Sequence, residues 1–320
     1  MTRILCSADW HIIRDKKKIP EDWQVNRFNM FFDKMLEIEK TCDIHILAGD
    51  IFDKAPTFGE VCLFNSYLNR VTIPTLIIPG NHEATKKGES FLEHYIEDNV
   101  IDNKNVYIFT KNARFNFRHH MNFQLFPYGE MQKDNLPSYV EGDILVTHIR
   151  GEVPPHVQPE YDFEKLRPWK LILLGDLHNQ HKYKDFPAYY PGSPMNVTFD
   201  RNENRIYGVN IIDFGSIDNY SITSLDLSLP KLIRKTISST DELIADDYNH
   251  VIYEVTGSLD ELSNIKQHDL LDKKIAHKPN EDSKIDLTNM SMIEELNTYL
   301  EYNKISDIKG VLSTFSELNV

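Results

Sequence analysis

Five apolar segments of this chain each run into side chains able to hold a cation. RILCSAD ends at Asp9 and is followed by Trp10 and His11; DIHILAGDIFD carries Asp50; IPTLIIPGNHE carries Asn81 and His82. DILVTHIRG carries His148, and KLILLGDLH carries Asp176 and His178. Carboxylate, amide oxygen and imidazole are ligands for hard and borderline divalent ions. Two such ions about 3.5–4 Å apart can neutralise a phosphate, activate a water and assist a leaving oxygen. One such segment means little, but five in order predict hydrolysis of a phosphoester at a binuclear metal site.

The residue types divide the work. A ligand shared by two cations should be a carboxylate, and Asp50, after Gly49 at a strand end, is the natural bridge. Asp9 and His11 lie two apart, so an extended strand end would point both the same way. Asp176 and His178 repeat that spacing, which argues against coincidence. Asn81 supplies a neutral oxygen within turn-forming Pro79-Gly80-Asn81. His82, pointing elsewhere from its neighbour, is suited to give a proton to a leaving group. His119, His120, His156 and His181 have no strand-end placement and read as surface residues. Arg14, Lys16, Lys17 and Lys18 follow the first motif, and Lys86 and Lys87 follow His82; these are candidate phosphate contacts, with solvated loops the alternative.

Strands that deliver ligands need a scaffold. WQVNRFNMFFDKMLEIEK, residues 23–40, repeats its apolar residues at helical spacing, and 58–69 and 90–97 predict further helices. This strand–helix alternation predicts helices on both sides of a sheet. From about residue 186, AYYPGSP, RIYGVNIIDF and NYSITSLDL predict a second sheet completing an α/β/β/α sandwich. Beyond Pro230 the strands KLIRKTIS and HVIYEV, with short helices opened by Thr240 and Ser258, predict a small α+β domain; a helix over 292–302 follows. The expected boundaries are 1–228 and 229–320.

Composition narrows the function. The 320 residues are 41% hydrophobic and 26% charged, ordinary for a globular chain. No apolar run approaches the roughly 20 residues of a membrane span, and the N-terminus reads as a strand rather than a signal peptide. The expected location is the cytoplasm, with no membrane contact. Cys6, Cys42 and Cys62, in or beside apolar stretches, are expected as buried free thiols. A formal charge of −14 argues against a protein that coats nucleic acid by itself. Residues 231–320 carry half of that excess, −7 in 90 residues.

The order DxH, GDIFD, GNHE, TH, GDLH resembles the calcineurin-like metallophosphoesterase superfamily and, within it, the SbcD-type nuclease subunits, including phage recombination exonuclease subunits. GDIFD is followed by Lys54-Ala55-Pro56 rather than the Arg-Gly of protein phosphatases, and the turn Tyr190-Pro191-Gly192-Ser193-Pro194 resembles the nuclease signature. The likeness covers residues 1–215 well and the remainder by architecture. It implies a four-layer α/β/β/α metallophosphoesterase sandwich with a small C-terminal α+β capping domain. It also implies one metal at Asp9, His11, Asp50 and His178 and a second at Asp50, Asn81, His148 and Asp176. His82 would be the catalytic histidine and two Mn²⁺ the usual ions, with Mg²⁺ the alternative. The activity implied is a DNA exonuclease with endonuclease capability in repair or recombination, partnered by an SbcC-like ABC-type ATPase; a homodimer is left open. Three positions depart from the pattern: Asp176 replaces the usual histidine, Glu83 the usual aspartate, and Ile12-Ile13 the usual glycine. The alternative reading is a phosphomonoesterase of the same superfamily.

Overall fold

The computed structural model describes the chain apart from residues 86, 88, 98–101, 119–120, 152–157, 184, 203, 238–242, 245, 258–261, 266–268, 276–289 and 319–320. Lys86, His119, His120 and His156 lie outside the described residues, as do the starts of the helices expected at Thr240 and Ser258.

The first half alternates as expected: β1 (Thr2–Ser7), α1 (Glu21–Glu39), β2 (Ile44–Ala48), α2 (Phe58–Leu68), β3 (Thr75–Ile78), α3 (Leu92–Glu97) and β4 (Val106–Ile108). A second set follows with β5 (Ala113–Phe117), β6 (Met121–Phe126), α4 (Tyr128–Gln132), β7 (Ile144–His148), β8 (Ile172–Gly175), β9 (His181–Lys182) and β10 (Ala188–Tyr190). The hairpin β11 (Gly208–Ser216) and β12 (Asn219–Asp226) comes next.

These strands form two six-stranded sheets, ordered β12-β11-β1-β2-β3-β4 and β5-β6-β7-β8-β10-β9. β1 to β4 pair in parallel, and so do β6, β7, β8 and β10. The expected second sheet is therefore corrected in its membership. AYY joins it as β10, but RIYGVNIIDF becomes β11, antiparallel to β1 in the first sheet, and NYSITSLDL becomes β12, antiparallel to β11. The hairpin closes the open side of β1, whose backbone groups would otherwise lack partners. Alternation along a strand marks its two faces and carries no mark of which sheet it joins.

Alternation also explains the layers. In the first sheet Leu5, Leu47 and Ile77 turn outward onto the aromatic faces of α1 and α2, where Phe28, Phe32, Phe64 and Tyr67 are buried. Their neighbours Ile4, Cys6, Ile44, Ile46, Leu76 and Ile78 turn inward against Phe123, Leu125, Ile144, Val146, Leu171 and Leu173 of the second sheet. The far face of that sheet, with Leu145, Ile172 and Leu174, packs under Trp169, Leu166 and Phe126. Both sheets are buried on both faces, which is why their central strands read as continuous apolar runs.

The first compact unit runs through Glu254 and includes His268–Asp272. It holds β13 (Leu232–Ile237), the first residues of β14 (His250–Gly257) and the start of β15 (Leu271–Ile275), which form a small sheet. The second unit, Val255–Gln267 and Lys273–Val320, contains α5 (Met292–Tyr302) and α6 (Ile308–Leu318). Ser291 and Glu294 cap α5 reciprocally. α6, absent from the sequence reading, packs on α5. Cys6 and Cys42 are buried free thiols, whereas Cys62 is exposed, on the solvent side of α2.

Two buried polar arrangements brace the first unit. Trp10 Nε1 donates to Ser7 Oγ (3.1 Å), Ser7 Oγ meets His45 Nε2 at 2.8 Å, and His45 Nδ1 meets Glu39 Oε1 at 3.1 Å. Tyr67 O–H donates to the same Glu39 oxygen. Arg27, 2% exposed, donates to Pro230 O (2.7 Å), Asn196 O (2.9 Å) and Asn196 Oδ1 (2.7 Å). Arg27→Met should lower unfolding stability by about 2–4 kcal/mol, because the buried carbonyls of Pro230 and Asn196 lose their donor. A urea-unfolding midpoint equal to wild type would refute that account.

Candidate metal centre

His148 is the last residue of β7, whereas β1, β2, β3 and β8 stop just short of their ligand-type residues, and the chain turns sharply at Asp9, His11, Asp50 and Asp176. Asp9, His11, Asp50 and Asp176 have φ of 57°, 47°, 53° and 105°. Asp9 and His11 thus reach the site through left-handed turns and not along an extended strand, correcting the expected geometry. Such backbone costs about 1–2 kcal/mol per residue, so the surroundings must hold it. They do: Asp9 N donates to Gly49 O (3.0 Å), His11 N to Asp50 O (3.0 Å) and Ile12 N to Ile51 O (2.7 Å). Gly49 has φ 89°, and a Cβ on it would lie 2.8 Å from Gly80 Cα and 2.5 Å from His148 Nδ1. Only glycine lets these loops close around the imidazole.

The side chains converge in overlapping groups. Ligand atoms of Asp9, His11 and His178 lie within 4.8 Å of one another; so do those of His11, Asp50 and His82, and those of Asp9, Asp50 and His148. Asp50 belongs to two of the three. Its Oδ1 is 3.3 Å from His148 Nε2 and accepts from His82 N at 3.0 Å, while its Oδ2 is 3.7 Å from His11 Nε2. Asn81 Oδ1 lies 3.0 Å from His148 Nε2. Asp176 N donates to Asp9 Oδ1 (3.1 Å), and Asp176 Oδ1 is 3.9 Å from His148 Nε2. Behind His178, Ser193 N donates to its carbonyl at 3.1 Å, so the PGSP turn braces that loop.

Backbone carbonyls set two of the imidazoles. A carbonyl only accepts, so His148 Nδ1–H donates to Ala48 O (2.8 Å) and His82 Nδ1–H to Asp53 O (2.5 Å). Both rings then present Nε2 to the site. Glu83, fully buried, accepts from Asp50 N (3.0 Å), Phe52 N (2.9 Å) and Gly80 N (2.8 Å). The glutamate that departs from the usual sequence pattern is the clasp joining the GD and GNH loops.

The charges are heavily coupled. Burial pushes Asp9 well up from the usual carboxylate range, with Asp50 and Asp176 adding to it and His148 opposing. For Asp50 burial acts upward too, but His148, His11 and His82 outweigh it and hold the carboxyl below its usual range. His148 is drawn the other way: against burial, the carboxylates of Asp50, Asp9 and Asp176 lift it to about 10. Burial brings His11 down to about 3.

This donor set fits divalent cations. Asn81 turns its amide oxygen toward the Asp50 carboxylate, lone pair against lone pair; turned over, its nitrogen would lie 3.0 and 2.9 Å from the two Asp50 oxygens. His11 Nε2 and His178 Nε2 approach to 3.0 Å. Buried His11 Nδ1 has no hydrogen-bond partner, with the Asp53 carboxylate 3.6 Å away. Acceptors converging on acceptors are what a cation satisfies.

Every ligand-type residue expected from the sequence is brought to this one place, together with His82. The basic residues behave differently. Arg14 pairs with Glu21 (2.6 Å), Lys16 donates to Val197 O (2.5 Å) and Lys18 pairs with Asp272, so these three are engaged within the chain. Lys17 and Lys87 are exposed. Sequence reasoning missed Arg150, whose Nε donates to Asp176 Oδ2 at 3.1 Å, and the role of Glu83. The signals were a cation two residues beyond His148 and a carboxyl directly after the GNH turn.

The fold and this centre define a metal-dependent phosphoesterase: residues 2–212 match the calcineurin-like phosphoesterase family, and the chain belongs to it. It is 38% identical over 322 residues, 97% of each chain, to the Escherichia phage T5 protein named "Probable exonuclease subunit 1". Among solved structures it is similar to the TT1561 protein of Thermus thermophilus (13% identity, TM-score 0.41, covering 70% of this chain and 98% of that one). Another is GAP50, the anchor in the inner membrane complex of Plasmodium (13% identity, TM-score 0.40, covering 72% and 90%). No described helix is long and apolar enough to cross a membrane.

Two outcomes follow from the electrostatics. His148, titrating at about 10, holds a proton at neutral pH that a bound cation must displace. Divalent-cation binding should therefore release protons, its affinity rising about tenfold per pH unit for each proton released until pH nears that value. Calorimetry in buffers of different ionisation enthalpy measures this, and a buffer-independent heat contradicts it. Glu83→Gln sets an amide N–H₂ against backbone donors and should cost about 1–3 kcal/mol of stability; an unchanged thermal midpoint contradicts it.

Proposed function

We propose that this chain is a DNA exonuclease with endonuclease capability, hydrolysing phosphodiester bonds through two Mn²⁺ ions, with Mg²⁺ the alternative. The observation that carries the reading is the overlap of the ligand groups, with Asp50 common to the one holding His82 and the one holding His148, and the Nε2 of His82 3.9 Å from its carboxylate. Asp9, His11, Asp50 and His178 would hold one ion, and Asp50, Asn81, His148 and Asp176 the other. Bound there, the ions would neutralise the phosphate and lower the pKa of the attacking water.

The chain's own residues do the rest. His82, anchored through Nδ1–H on Asp53 O, carries its mobile proton on Nε2. As water oxygen bonds to phosphorus and the ester P–O bond breaks, that proton passes to the departing oxygen. Its side chain is one-third exposed, open enough to meet a strand, while Asp9, His11, Asp50 and His148 stay buried. Glu83 keeps the Asp50 and Asn81 loops in register throughout.

The name of the phage T5 relative, "Probable exonuclease subunit 1", supports a nucleic acid as substrate and work within a complex. We propose an SbcC-like ABC-type ATPase as the partner and DNA repair or recombination in the cytoplasm, the host's for a phage chain. A homodimer is compatible with this. Residues 229–320 would form the capping and partner-binding part. A chain of charge −14, with most of its site-proximal cations internally engaged, needs such help to hold a polyanion.

His82→Ala should keep two metals per chain while cleavage of linear duplex DNA falls about 10²–10⁴-fold; retained cleavage removes His82 from this role. Side-by-side assays with Mn²⁺ on linear duplex DNA and on a small aryl phosphate, with and without the ATPase, decide the substrate class. Hydrolysis of the aryl monoester alone would establish the phosphomonoesterase reading instead.

A further inference from the structure

Asp176 differs from the other two carboxylates of the centre. Asp9 and Asp50 meet no lysine or arginine among the described residues, whereas Asp176 Oδ2 accepts from Arg150 Nε at 3.1 Å. Its other oxygen, Oδ1, is the one near His148 Nε2, at 3.9 Å. One oxygen is committed to a guanidinium and one faces the ligand cluster.

The arginine is firmly placed. Ile149 N donates to Gly175 O (3.3 Å) and Tyr190 O–H donates to Ile149 O (2.9 Å), which sets the chain after β7 against the residue preceding Asp176. On its other side, Glu160 N donates to Arg150 O (2.9 Å), Arg150 N approaches Glu160 Oε2 (3.5 Å), and Tyr128 O–H donates to Glu160 Oε1 (2.5 Å). A guanidinium on a braced backbone holds a carboxylate oxygen directionally, as a point-charge ammonium on a flexible stem does less well.

We propose that Arg150 sets the metal preference of this centre: by holding Oδ2 of Asp176 it leaves one carboxylate oxygen for a cation and so disfavours Ca²⁺ against Mn²⁺ and Mg²⁺. The proposal rests on the reading of Asp176 as a ligand of the second ion. Ca²⁺ takes six to eight oxygens and gains from a carboxylate that gives both, whereas the smaller ions keep six-coordinate geometry and accept one. The charge of Arg150 repels every divalent ion alike, so it shifts all affinities together. The blocked oxygen acts on the larger ion in particular, so the ratio of affinities, not either value, reports the device.

The test is calorimetric titration of the full chain with Mn²⁺ and with Ca²⁺ for wild type, Arg150→Met, Arg150→Lys and Asp176→Ala, each checked by its thermal midpoint. Arg150→Met should shift the Ca²⁺-to-Mn²⁺ affinity ratio about tenfold toward Ca²⁺, while Arg150→Lys, which keeps a donor for Oδ2, should shift it less. Both affinities changing in step, with the ratio fixed, would overturn the proposal and leave Arg150 a simple counter-charge. Should Arg150→Met fail to fold, Arg150→Lys decides alone: a ratio shifted partway toward Ca²⁺ supports the proposal, and a ratio equal to wild type opposes it. Asp176→Ala separates the two levels: metal binding there equal to wild type removes Asp176 as a ligand, and with it both this inference and the second ligand set.

Discussion

Three carboxylates and two imidazoles are taken out of water at one end of an otherwise apolar sandwich, and the surrounding structure answers to that burial. Asp9, Asp50 and His148 are each at most 2% exposed, and Asp176 is largely covered beside them. Repulsion among such charges would spread them apart or draw in water if the backbone were free to move. The fold answers with left-handed turns locked by cross-strand hydrogen bonds, with glycines that let the loops touch, and with Glu83 gathering three amide hydrogens from two loops.

The bracing continues behind the site. Trp10 stands between Asp9 and His11 in sequence but points the opposite way, into Phe31, Phe64 and Tyr67, with its N–H on Ser7. The Ser7–His45–Glu39–Tyr67 chain thereby links the turn of the first motif to α1, β2 and α2. A serine, a histidine and a glutamate at bonding distances resemble a nucleophilic triad, yet Ser7 and His45 are wholly buried, and no substrate could reach them. Their work is mechanical.

Much of this was legible in the sequence, for a definite reason. Ligands at strand ends follow apolar runs, and apolar runs are what burial on both faces of a sheet demands, so Asp9, Asp50, His148 and Asp176 could be read directly. The helices over 21–39 and 58–68 declared themselves by periodicity. Sheet membership of 208–226 did not, because pairing partners are chosen by edge availability and not by local pattern. Arg150 escaped notice because a cation near a histidine has no signature until its carboxylate is seen, and the ion pairs of the basic run Arg14–Lys18 were not legible because the partners, Glu21 and Asp272, lie elsewhere in the chain.

The anchor of His82 carries a consequence of its own. In many hydrolases an imidazole is oriented by a carboxylate side chain, which mutation can delete and pH can switch. Here the orienting acceptor is the main-chain carbonyl of Asp53, which no substitution at that position removes and no titration alters. The proton-bearing nitrogen is therefore governed by loop position alone: whatever moves the short segment between β2 and α2 rotates or releases the ring. In the proposed nuclease reaction, control over proton donation lies in displacing that peptide bond.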